Sequence, residues 1–104
     1  MSGDLPARRE LAAAGHRLVA AGFQRITLPG IPGTWIYQHR RGLTRIRVIL
    51  RADRGHQIVS RTEWDGTQWV IRSYDGYDAE QQPYTITTAT DTGIRLATGE
   101  RSAA

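Results

Sequence analysis

Hydrophobic positions along the chain change period once. Up to residue 21, Leu11, Ala14, Leu18 and Ala21 recur at helical spacing, while Arg8, Arg9 and Arg17 fall mostly elsewhere, which predicts one helix over 5–21. Asp4 suits its cap and Pro6 its first turn. Gly22 is placed to end it in a left-handed conformation, with Phe23 packing back over the last turn. Beyond Phe23 the period becomes two. Short runs at 24–28, 34–40, 43–51, 57–64 and 67–74 read as antiparallel strands, with a rigid PGIPG connection at 29–33. A polar loop at 75–83 precedes a last hairpin, 84–90 and 94–98, turning around Asp91, Thr92 and Gly93.

The expected fold class is therefore α+β. One N-terminal helix packs on a strongly twisted antiparallel sheet of about six or seven strands, a meander curled toward a half-barrel. Residues 1–98 read as a single domain and 99–104 as a flexible tail.

Strand register sorts the side chains into two faces. A two-residue turn at Asp65-Gly66 sets Trp64 and Trp69 on one face with Ile58 and Ile71. A two-residue turn at Arg41-Gly42 puts Trp35, Tyr37, Ile46 and Val48 together. A five-residue loop at 52–56 then aligns Ile46, Val48 and Leu50 with Ile58 and Thr62, under Leu11 and Leu18. The opposite face carries Gln38, Arg40, Arg45, Arg47, Arg51, Arg61 and Arg72 among Ile36, Ile49, Val59 and Val70. In this register Arg45 lies opposite Glu63, and Arg47 opposite Arg61, a like-charge pair that destabilises a sheet unless an anion sits between them. A loop one residue shorter reverses the relation between the two hairpins.

Composition sharpens this picture in two ways. The formal net charge is +4, and all 14 basic residues are arginine, five of them within Arg40–Arg51. Arginine offers a rigid fork of donors to phosphate or carboxylate, whereas the bland alternative is that its stems cover aliphatic neighbours while the heads stay in water. Abundant Ala, Arg and Gly with no lysine or asparagine matches a GC-rich genome. Cysteine is also missing. Disulfides, thiolate metal sites, cysteine nucleophiles, lysine phosphate loops and Schiff bases are thereby excluded.

The remaining candidates weigh less. Trp35, Tyr37, Trp64 and Trp69 can form a base-stacking platform, but the register above assigns them to the core. His16, His39 and His56 lack metal-ligand spacing, and Asp53 and His56 fall in a turn. Asp75, Asp78 and Glu80 match no calcium loop. Ser60 and Ser73 lie in strands, outside any nucleophile elbow.

The run LVAAGFQRITLPGIPGTWIYQHRRGLTRIRVIL resembles the start of HicA-type toxin ribonucleases, in which a helix ending in a Gly-Phe step leads into strands of a double-stranded-RNA-binding-like fold. That family's active histidine lies in a Gly-Ser-His step. Here Gly33-Thr34-Trp35 stand in its place, so the resemblance supplies no catalytic residue.

These features predict a small, basic, non-catalytic binding module in the cytoplasm, without cofactor, metal or membrane association. Its partner is the DNA or RNA backbone, held by Arg40, Arg45, Arg47, Arg51, Arg61 and Arg72. The alternative is a protein-interaction factor, a phage- or plasmid-type regulator or inhibitor docking on an acidic surface of a larger host protein. A second alternative is a small ribonuclease of toxin type.

Overall fold

The computed structural model describes residues 4–27, 33–52 and 57–99, with side chains from Arg8 onward. Helix α1 (Asp4–Ala20) leads into a five-stranded sheet made of β1 (Gln24–Ile26), β2 (Thr34–Arg41), β3 (Thr44–Arg51), β4 (Ile58–Trp64) and β5 (Trp69–Asp75), and helix α2 (Ile86–Thr98) follows. The strands lie in sequence order and every pairing is antiparallel, so the sheet is a meander. The class is α+β as expected, but with five strands in place of six or seven and with a second helix.

Helix α1 ends as its sequence dictates. Gly22 adopts φ 97°, and the Phe23 amide donates to the Leu18 carbonyl at 2.9 Å. This closes the helix with a left-handed glycine and turns Phe23 into the core, where it is 2% exposed. The expected Asp4 cap and Pro6 first turn lie among side chains outside the described set, as does most of the 29–33 connection.

The expected last hairpin is helix α2, a correction with a clear cause. Thr-rich sequence reads as strand because β-branched side chains favour it, and Asp91-Thr92-Gly93 reads as a turn. Yet Ile86, Ala89, Thr90, Gly93 and Ala97 are the buried residues of α2, a helical stripe that burial decides. Thr85 caps it, its side chain accepting from the Thr88 amide at 3.0 Å. Thr90 and Thr92 return their hydroxyls to the carbonyls of Ile86 and Thr88, at 2.7 and 2.8 Å, which satisfies them within the helix. Gly93 supplies closeness rather than a turn. A Cβ there would stand 2.2 Å from Val48 Cγ2.

Both helices cover one face of the sheet. Leu11, Ala14 and Leu18 of α1 join Ile86, Ala89 and Ala97 of α2 over Tyr37, Ile46, Val48, Leu50 and Val59 in one core cluster. Fully burying an aliphatic or aromatic side chain of this kind stabilises by about 1.5–3 kcal/mol. An ion pair from Arg17 to Asp91 ties the helices together, but it is half exposed and adds at most about 1 kcal/mol.

Candidate functional site

The face away from the helices is ordered in rows by register. Ile26, Ile36, Ile49 and Ile58 pair in succession across β1 to β4. The next row holds Gln24, Gln38, Arg47, Ser60 and Tyr74. The third holds Arg40, Arg45, Thr62 and Ile71, and the last Trp64 opposite Trp69. Arg51, opposite Thr34, ends this face on β3.

This arrangement differs from the expected one by a single residue. Arg47 pairs with Ser60, and Val48 with Val59, where the sequence pattern set Arg47 against Arg61 and Arg45 against Glu63. Because side chains alternate, a one-residue slip exchanges the faces of β4 and β5 relative to β2 and β3. The turn of the first hairpin also sits one residue later. Gly42 and Leu43 form it, with Gly42 at φ 59°, as a turn with glycine at its first central position requires. That shift moves the pairing by two residues and leaves the faces unchanged. The second hairpin closes through four residues, 65–68, where the Asp65 carboxylate accepts from the Thr67 and Gln68 amides at 2.8 and 2.9 Å. These hydrogen bonds, the Thr67 amide foremost, hold the Asp65 carboxyl below its ordinary range.

Three consequences follow for the predicted site residues. Arg40, Arg45, Arg47 and Arg51 share the open face. Arg61 does not: it lies opposite Ile46 and lines a cleft of ≈320 Å³ with His39, Arg41 and Thr44, beside Leu96, Ala97 and Gly99 at the end of α2. Arg72 is the extra residue of a β-bulge on β5, since Arg61 pairs with Ser73 and Thr62 with Ile71. Both Arg61 and Arg72 are ion-paired to Glu63, the latter at 3.7 Å. The like-charge pair of Arg47 and Arg61 is absent. Val59, expected among the arginines, is a core residue at 1% exposure.

Trp64 and Trp69, assigned to the core by sequence, leave it by the same slip. They meet edge to face on the open side, ring centres 5.6 Å apart, with Trp64 37% exposed. The Arg45 guanidinium stacks 4.4 Å from the Trp69 ring centre and that of Arg40 5.1 Å, both within cation–π range. Trp35 and Tyr37 remain on the helix-covered face, packed on or within the core.

Three arginines of the open face, Arg40, Arg45 and Arg47, donate to neutral groups. Arg45 Nε donates to Thr62 Oγ1 at 3.1 Å, Arg47 Nε to Gln38 Oε1 at 2.9 Å and Arg40 Nε to the Gly42 carbonyl at 3.4 Å. Each leaves guanidinium N–H groups pointing onward. Partial burial, then the charges of Arg47 and Arg40, lower the Arg45 pKa. Ile71 and Tyr74 stand beside them, 62% and 58% exposed.

Elsewhere, none of the described residues that line the His39 cleft is a carboxylate, and the imidazole packs on Phe23 with ring centres 5.3 Å apart. Among the described residues no three potential metal ligands come together. Asp53 and His56 lie outside the described residues. Asp78 is occupied by the Glu80 and Gln82 amides, both at 2.9 Å, in its own loop. No described helix is long and apolar enough to cross a membrane. Compared with known proteins, the chain matches no family, no curated protein and no solved structure.

Proposed function

We propose that the protein is a small, non-catalytic binding module whose open sheet face contacts nucleic-acid phosphates. Arg40, Arg45 and Arg47 form the centre of the contact and Arg51 its end. One observation carries this reading: three arginines lie together on a face the helices leave bare, and their hydrogen-bond partners are all neutral. Arg61 and Arg72, by contrast, already share Glu63. A carboxylate next to a guanidinium offers what a phosphate would offer, so Arg61 and Arg72 are withdrawn from the proposed site. The test is a salt titration of binding to short DNA and RNA. With three or four phosphate contacts, the logarithm of affinity falls linearly with the logarithm of salt, with a slope of about 2 to 4. Failure to bind any of them at low salt overturns the reading.

A second reading has its own support. Ile71 and Tyr74 are exposed apolar anchors beside the arginines, which suits an acidic protein surface. A stoichiometric protein partner that survives nuclease treatment would favour a regulator or inhibitor of a larger host protein.

A further inference from the structure

We infer that the open face takes single-stranded rather than duplex nucleic acid, with bases stacked on Trp64 and Tyr74 while Arg40, Arg45 and Arg47 hold the intervening phosphates. This rests on the phosphate-binding reading and adds the substrate class. The first ground is width. The strands that carry the contact residues run from β2 to β5, three strand spacings or about 14 Å between backbones, although the Arg40 guanidinium reaches to 5.1 Å from the Trp69 ring centre. A major groove is about 12 Å wide and admits a helix or a two-stranded ribbon, not four strands side by side.

The second ground is the placement of the aromatic rings. Tyr74 lies opposite Ser60 and Trp69 opposite Trp64, so the two aromatic positions are four residues apart along β4, about 13 Å. Bases in a duplex stack about 3.4 Å apart and turn their faces to one another. A chain that offers base faces to both positions has its bases splayed, which single strands permit and duplexes do not. The third ground is that the arginines already lie over an aromatic ring. Trp69 carries the guanidinium groups of Arg45 and Arg40, while Trp64 and Tyr74 keep exposed surface for a base. Stacking of this kind tolerates any base, since every base has a π face.

The experiment compares binding of a labelled single strand and the duplex of the same length and sequence at low salt, using wild type, Trp64→Leu and Tyr74→Leu. Tyr74 is 58% exposed, so its replacement keeps the test independent of any effect of Trp64 on folding. The single strand should bind at least about tenfold more tightly, and each replacement should weaken it by about five-fold or more without changing duplex affinity. Equal affinity for both forms, with a normal salt slope and no effect of either replacement, would overturn the single-strand inference and leave the phosphate reading standing. Binding to neither form would remove both.

Discussion

The two faces of the sheet treat the same residue type in opposite ways. On the helix-covered side, Arg61 and Arg72 lie beyond the core and share the carboxylate of Glu63. On the open side, Arg40, Arg45 and Arg47 meet a carbonyl, a hydroxyl and an amide. Partial burial first, and the neighbouring charges of Arg47 and Arg40 second, lower the pKa of Arg45 on this face. Arginine count alone therefore says little here. What separates the two sets is whether a carboxylate already occupies the fork, and on that ground the open-face arginines are the ones proposed to bind.

The same contrast holds for packing. Val48 and Leu50 on the covered side are fully buried, whereas Ile71 on the open side is 62% exposed. Leu50→Ala should cost about 2–5 kcal/mol in urea unfolding, and Ile71→Ala no more than about 0.5 kcal/mol. Equal losses would erase the distinction between the faces. Next in size is Gly93→Ala, whose methyl group would collide with Val48 Cγ2. Overpacking there should destabilise by about 1–3 kcal/mol, although alanine is the better helix former. A stabilised variant would show that Gly93 is not the contact that seats α2 on β3.

A smaller effect concerns the loop that sets the β4–β5 register. The folded-state pKa of Asp65 is depressed, so its stabilising contribution is present above the unfolded carboxyl pKa of about 3.9 and is lost as pH falls through the folded value. The advantage of wild type over Asp65→Ala in thermal unfolding should be full at neutral pH and shrink in acid below about pH 4. An advantage that stays constant or grows in acid would contradict the role given to the carboxylate.

Much of this fold was legible in the sequence because local chemistry decides it. The end of α1 needed only Gly22 and Phe23, and the meander of β2 to β5 needed only alternation and turn residues. Within each hairpin the grouping of side chains was also legible: Trp64, Trp69, Ile58 and Ile71 do share a face. What was not legible was which face. That depends on the connection between β3 and β4, where one residue more or less exchanges every side chain. The alternation of β4 offered little guidance, because Val59, Arg61 and Glu63 on one side and Ile58, Ser60 and Thr62 on the other are comparably mixed. Gln57 marks the true pairing: its side chain accepts from the Arg51 amide at 2.5 Å and donates to the Arg51 carbonyl at 3.1 Å, like a ladder residue. No sequence pattern announces such a contact. Helix α2 was missed for a different reason. Its threonines disfavour helix locally, and the stripe of Ile86, Ala89, Gly93 and Ala97 becomes decisive only against the sheet that it covers.

The most direct measurement is the salt dependence of nucleic-acid binding for two matched double variants, Arg45→Gln with Arg47→Gln and Arg61→Gln with Arg72→Gln. Each removes two positive charges, so a nonspecific loss of charge would affect both alike. If the open face is the binding surface, the first pair should flatten the slope by about 1.4–1.8 and weaken binding, while the second leaves the slope at its wild-type value. Equal flattening by the two pairs, or flattening by the second alone, would contradict the assignment of binding to the open face.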